Sequence, residues 1–207
     1  MLERFQSREA DRGARELSAD MGTASKRVRD EWLALRCKLR TPGAFEDLIG
    51  EMEPPILYYV SKLLNDEGRA FDLLQEVWLA AYHGIGRLED PQALRVWLYR
   101  IAHGLAVDRI RSDVSRERAE RAWAETQERG EEESFDAEDA AAIHRALDEL
   151  DVKHREVLVL HFLNDVSIGE IASVVGCPEG TVKSRIYHAK RALKDALKRG
   201  GHGTNEK

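Results

Sequence analysis

Residues 167–191 read SIGEIASVVGCPEGTVKSRIYHAKR, and the fold is decided by this stretch. Ser167 is followed three residues later by Glu170, the spacing at which a serine hydroxyl and a glutamate carboxylate cap each other's backbone amides at a helix start. Ile168, Ile171, Ala172 and Val175 then recur at helical spacing. Gly176-Cys177-Pro178 breaks the run, because glycine takes the left-handed conformation that ends a helix and proline starts the next one. A second helix follows, with Val182, Ile186, Ala189, Leu193 and Leu197 on one stripe. A short capped helix, a glycine turn and a longer helix make a helix-turn-helix.

What the second helix offers solvent decides its use. Thr181, Lys183, Ser184, Arg185, Tyr187, His188 and Arg191 all fall off the apolar stripe. These side chains donate to phosphates or read base edges, and the positive end of the helix adds to them. A basic helix packed in a bundle with solvated lysines would need no such set after such a turn.

Upstream, the same periodicity predicts a helical domain from about Asp30. Trp32, Leu33, Leu35 and Leu39, then Phe45, Leu48, Ile49 and Met52, form amphipathic pieces around Thr41-Pro42-Gly43. Pro54-Pro55 is expected to restart the chain into a helix with Ile56, Val60, Leu63 and Leu64 inward. Phe71, Leu74, Val77, Trp78, Ala81 and Ile85 mark the next helix, which Gly84 and Gly86 end. Asp72, Gln75 and Glu76 sit on its other face. Asp90 caps a further helix that carries Leu94, Trp97, Leu98, Ile101 and Leu105 to about Arg111. Near the C-terminus, Ile143, Leu147 and Leu150 line one helix and Val157, Leu158 and Phe162 the next. β-branched alternation is scarce, so the chain reads as all-α.

Charge is segregated. The net charge is −6, yet residues 179–199 carry seven basic side chains against two acidic ones. Residues 128–139 hold seven acidic side chains and one arginine, with Glu131-Glu132-Glu133 at the centre. A basic end and an acidic middle are an interaction pattern. Between Ser112 and about Glu138 the apolar periodicity fades, as expected of a linker. Residues 1–29 read as a disordered extension, with Met21 as a second candidate start.

Catalysis finds no footing. The seven histidines are scattered, without the spacing of a metal-binding pair, and His154 and His161 read as structural. Cys37 and Cys177 stand far apart, with no ligand spacing around either. Gly84-x-Gly86 lacks the third glycine and the preceding strand of a nucleotide fingerprint. No cofactor or metal is called for. No apolar run is long enough to span a bilayer and no signal-peptide core is present, so a cytoplasmic protein is expected.

Gly180-Thr181-Val182-Lys183-Ser184-Arg185 resembles the recognition-helix signature of the extracytoplasmic-function (ECF) group of RNA polymerase sigma factors. Asp72-Leu73-Leu74-Gln75-Glu76-Val77-Trp78 resembles their polymerase-contacting helix, and Trp97-Leu98-Tyr99-Arg100-Ile101-Ala102-His103 their promoter-melting helix. The similarity spans about residues 31–112 and 138–197. It implies two small helical domains joined by a flexible acidic linker. Residues 1–29 would be an extension, 30–112 region 2, 113–137 the linker, 138–199 region 4 and 200–207 a tail.

The implied function is that of an alternative sigma factor, which binds core polymerase and directs promoter-specific initiation without catalysis of its own. Asp72, Gln75 and Glu76 would dock on the clamp helices of the largest polymerase subunit, with further contact to the flap region. Arg95, Trp97, Arg100, His103, Arg109 and Arg111 would face the −10 element, and the loop from Gly86 to Pro91 would capture an unstacked base. Trp97 reads either as a core aromatic or as a stacking platform. The set from Thr181 to Arg191 would read the −35 element. The linker is either a mimic of RNA in the polymerase exit channel or a plain tether. An anti-sigma factor is the expected inhibitor, without membrane insertion. The family often has asparagine after the histidine of the melting helix; Gly104 stands there in this chain, so that polar contact is missing. A dimeric regulator outside the polymerase would leave the two upstream helices without a use, and a helical adaptor would do the same for the basic set on the last helix.

Overall fold

A computed structural model describes residues 25–121 and 138–200 of the chain. All its regular elements are helices: α1 (25–38), α2 (Ala44–Leu64), α3 (Glu67–Gly84), α4 (Leu94–Arg121), α5 (Glu138–Asp148), α6 (Val152–Leu158), α7 (Ile168–Val175) and α8 (Glu179–Gly200). Short 3-10 turns cover Ile85–Arg87 and Pro91–Ala93, and a π-helical turn, Val159–Leu163, continues α6. Among the described residues there is no strand.

α1 begins a turn earlier than Asp30, and α4 continues to Arg121, into the stretch read as linker. The acidic run at Glu131–Glu133, Met21 and the residue 200–207 tail apart from its first residue lie outside the described residues.

The expected break at Pro54-Pro55 does not occur, since α2 runs through both prolines. A proline inside a helix costs about 3 kcal/mol or more in lost hydrogen bonding and crowding. Here Leu48, Met52, Ile56, Tyr59, Val60 and Leu63 form one continuous buried stripe on both sides of the pair. Each such side chain contributes about 1.5–3 kcal/mol on burial, which outweighs the local penalty. Gly43, in the left-handed region at φ +76°, starts the helix, and Asn65 ends it in the same region. Asp66 then caps α3, its side chain accepting from the Arg69 amide at 3.0 Å.

α2, α3 and α4 pack on one another, with α1 closing the group through Leu33 and Ala34. The buried stripe of α3 is Ala70, Leu73, Leu74, Val77, Trp78 and Ala81. Phe71, expected inward, lies half in solvent, because it falls on the side of the helix that carries Gln75 and Tyr82. Ile143 and Phe162, also expected inward, are exposed as well. In the second group α8 packs on α5, α6 and α7 around Leu147, Val157, Leu160, Ile171, Val182, Ile186 and Ala189.

The two groups meet. α7 lies against α4, and α6 with its π turn lies against α2. The periodicity did not reveal that α4 is also buried through Tyr99, Ala102 and Ala106, the Tyr99 ring lying edge-on to that of Tyr59 on α2 at 5.5 Å. Arg155 anchors the seam. Its guanidinium donates to the carbonyls of Lys62 (2.7 Å), Asp148 (3.1 Å) and Leu150 (2.9 Å), so one fork satisfies chain ends from both groups.

Candidate nucleic-acid interface

The helix-turn-helix forms as its sequence dictates. The Ser167 amide donates to Glu170 Oε2 at 2.8 Å and the Glu170 amide to Ser167 Oγ at 3.3 Å, completing the reciprocal cap. Gly176 ends α7 at φ +66°, and the Cys177 amide returns to the Ala172 carbonyl at 3.1 Å. Pro178 then accepts at its carbonyl from the Thr181 and Val182 amides, which starts α8.

Val182, Ile186 and Ala189 bury one side of α8. Thr181, Lys183, Ser184, Tyr187, His188 and Arg191 stand exposed on the other. Two cations are held over rings: Lys190 Nζ lies 4.7 Å from the Phe162 centroid, and the Arg191 guanidinium 6.0 Å from that of Tyr187. These contacts orient the charges without removing them from solvent. Arg185 differs from its neighbours. Only 23% of its side chain is accessible, and its Nη1 donates to Glu156 Oε1 at 3.0 Å.

Glu156 is the residue that sequence reasoning missed. It lies on α6 with 6% of its side chain accessible, between the buried Arg155 and the buried apolar run of Val157, Leu158, Val159 and Leu160. A carboxylate directly ahead of four consecutive apolar residues, 157–160, was the available signal. Burial pushes its carboxyl up to about 7, outweighing the nearby Arg185 guanidinium, which favours the ionised form. Its other oxygen, Oε2, stands 3.6 Å from His103 Nδ1 on α4. The Tyr59 hydroxyl is 3.0 Å from the same nitrogen. Burial first, and then Arg185, depresses the His103 pKa.

The other residues expected on α4 have varied surroundings. Arg100 and Arg111 are exposed, Arg111 lying 3.8 Å from Asp108. Arg95 is taken up in a two-pronged pair with buried Asp30, at 3.0 and 3.1 Å, which fastens α1 to α4. Trp97 is half-buried against the end of α3, where a Cβ on Gly84 would stand 2.9 Å from its ring. In the loop between α3 and α4, Leu88 is buried and its carbonyl accepts from Lys38 at 2.6 Å. Gly86, Arg87, Glu89 and Asp90 remain open to solvent.

On α3, Asp72, Gln75 and Glu76 are exposed beside Phe71, Leu79 and Tyr82, whose rings and aliphatic carbons are also open. Glu76 pairs with Arg109 at 2.6 Å, so a residue expected at the polymerase meets one expected at the −10 element. Both are substantially exposed, and a surface pair of this kind contributes little to stability. An acidic face interleaved with aromatic and aliphatic groups suits docking on another protein.

Among the described residues no cluster of histidine, cysteine, aspartate or glutamate could hold a metal, and no helix is long and apolar enough to cross a membrane. Cys37 and Cys177 are both free.

A helical group with an acidic docking face, followed by a capped helix-turn-helix with exposed donors, defines a DNA-binding protein that also engages a protein partner. Comparison with known families makes this specific. Residues 48–116 match Sigma-70 region 2, and residues 140–193 match Sigma-70, region 4. The RNA polymerase sigma-H factor of Pseudomonas aeruginosa is 30% identical over 181 residues, covering 82% of this chain and 94% of that protein. The ECF RNA polymerase sigma factor SigC of Mycobacterium tuberculosis is 34% identical over 162 residues, 78% of this chain and 87% of the relative. Among solved structures, CnrH in complex with the cytosolic domain of CnrY superposes with a TM-score of 0.60 at 26% identity, over 82% of this chain and 97% of that one. The sigma factor RpoE in complex with the anti-sigma factor NepR from Bartonella quintana shares the fold, with a TM-score of 0.65 at 22% identity over 75% and 98% of the two chains. The chain belongs to the sigma-70 family of RNA polymerase sigma factors, in its ECF group.

Proposed function

We propose that this sigma factor acts in the cytoplasm without catalysis of its own, dividing its work between residues 30–112 and residues 138–199. The first module docks on the polymerase clamp through Asp72, Gln75 and Glu76. It meets the −10 element through α4, using Arg100, Arg111, Trp97 and His103, with Arg95 and Arg109 beside them, and the open loop before α4 receives an unstacked base. The second module reads the −35 duplex with Thr181, Lys183, Ser184, Arg185, Tyr187, His188 and Arg191, and meets the polymerase flap. An anti-sigma protein is the inhibitor, a reading supported by the likeness to CnrH, which was solved bound to the cytosolic domain of CnrY.

The observation that carries the reading is the solvent face of α8. Six of the seven donors and aromatics expected on it stand exposed, on the helix that follows α7, which is capped at both ends. A recognition helix needs this combination of a fixed entry angle and free side chains to contact base edges and phosphates.

The test is reconstitution. Purified chain mixed with core polymerase is expected to co-elute with it and to start transcripts at a small set of genomic promoter fragments. Failure to co-elute, or initiation no more specific than that of core enzyme alone, would defeat the proposal.

A further inference from the structure

Phe162 is 49% exposed, although Val159 and Leu160 beside it are buried. It projects from the π-helical turn Val159–Leu163, which the Asn164 amide closes by donating to the Val159 carbonyl at 3.1 Å. π turns are rare and are frequent at functional sites. The His161 ring stands edge-on to that of Phe162 at 4.6 Å, and its Nδ1 is 3.1 Å from the Val166 carbonyl, which braces both rings. Above the Phe162 ring lies Lys190 Nζ of α8, 4.7 Å from the centroid.

Lys190 belongs to a row. Lys183, Tyr187, Lys190, Arg191 and Lys194 are all exposed and follow one another at helical spacing, so they share one side of α8. Buried Val182, Ile186, Ala189 and Ala196 hold the other side. Asp195 is exposed one residue round the helix from Lys194, and Arg199 is turned aside to Glu149 at 2.8 Å. From Lys183 to Lys194 the row is about 16 Å long, at about 1.5 Å per residue. The major groove is only about 12 Å wide. A helix whose first turns contact base edges therefore carries the far end of the row past the groove and over its sugar–phosphate wall.

We propose that Lys190 and Lys194 bind the sugar–phosphate backbone beside the −35 element, and that Phe162 is a positioning residue that holds the Lys190 ammonium ready for its phosphate. This rests on the proposed function, in which the first turns of α8 read the −35 duplex. A lysine carries its charge on a flexible four-carbon stem and ordinarily loses much of that freedom on binding. Held over the Phe162 face, Lys190 has lost part of it beforehand, while its charge stays in solvent for the incoming oxygen. Contact with phosphate adds affinity on every sequence and fixes the register of the base-reading residues, with no base preference of its own.

The test uses the chain reconstituted with core polymerase and two duplexes: a promoter fragment on which the pair initiates, and the same fragment with its upstream box scrambled. Affinity is measured over a series of salt concentrations. Lys190→Gln and Lys194→Gln should each weaken binding to both duplexes severalfold and lower the slope of log affinity against log salt by about 1. Phe162→Leu, with helix content intact by circular dichroism, should weaken binding about 2- to 5-fold in wild type and not at all in Lys190→Gln. Phe162→Tyr keeps the ring and should bind as wild type does. Lysine variants with unchanged affinity and slope overturn the phosphate contact. A loss from Phe162→Leu that recurs undiminished in Lys190→Gln, or that Phe162→Tyr shares, overturns the positioning role. Equal binding of wild type to the intact and scrambled fragments would instead overturn the −35 reading, while the lysine variants still judge the phosphate contact.

Discussion

Replacing Glu156 with glutamine tests the packing around the seam in a single titration. The carboxyl has 6% of its side chain accessible and is faced by Arg185 from α8, His103 from α4 and Tyr59 from α2, with Asp151 and Lys153 on its own segment. Burial raises its pKa from 4.5 to about 7. A carboxyl raised in the fold holds its proton more tightly there than in the unfolded chain. Its stabilising contribution is therefore complete below the unfolded value and is lost as pH rises through the folded one. At about 1.4 kcal/mol per pH unit between the two values, the full effect is about 3.5 kcal/mol, of which about 2.5 kcal/mol falls between pH 5 and pH 8. Glutamine keeps the shape and an acceptor for Arg185 but does not titrate.

The assay is urea unfolding of His103→Gln with and without Glu156→Gln at a series of pH values, followed by far-ultraviolet circular dichroism. His144, depressed by burial, contributes in the opposite sense as pH falls, but it lies away from Glu156 and cancels in the difference, whereas His103, 3.6 Å from Glu156, is replaced by glutamine in both proteins of the comparison. Stability of the protein that keeps Glu156 relative to the one with Glu156→Gln is expected to fall by about 2.5 kcal/mol from pH 5 to pH 8. A difference that stays flat, or that rises with pH, would refute the reasoning and place Glu156 in solvent rather than under α4.

The helix-turn-helix makes three further predictions. Ser167→Ala removes one half of the reciprocal cap at the start of α7 and should cost about 1 kcal/mol of stability in thermal or urea unfolding. Gly176→Ala puts a side chain at φ +66° and should cost about 1–2 kcal/mol, a strain that asparagine at the same position should partly relieve. Arg185→Ala should weaken binding to the −35 duplex by about 1–3 kcal/mol in an anisotropy titration if the arginine contacts a base; an equal loss on every sequence would assign it to a phosphate.

Much of this fold was legible because local chemistry and long-range packing agree. Ser167 and Glu170, Gly176 and Pro178 each carry a local instruction, and the structure uses all of them. The end of α3 at Gly84 and the cap at Asp90 were readable for the same reason. The Pro54-Pro55 pair misled because a local rule met a stronger tertiary one: the buried stripe from Leu48 to Leu63 is continuous across it. Phe71, Ile143 and Phe162 misled because apolar identity was taken for burial, although a protein surface ordinarily carries such residues.

The expected site was legible as a list of side chains but not as a set of partners. Nothing in the spacing of α4 foretells that Arg95 meets Asp30 or that Arg109 meets Glu76, since those pairs join different helices. Glu156 escaped notice because its role depends on α8, 29 residues away, and on α4, from the other module.

The most direct measurement is permanganate footprinting of a promoter to which the chain has brought core polymerase. Reactive, unpaired thymines are expected around the −10 element when chain and core enzyme are both present, lost when either is omitted and sharply reduced when α8 carries Arg185→Ala and Arg191→Ala. Thymines that stay unreactive, or that open equally well with core enzyme alone, would contradict the proposed function.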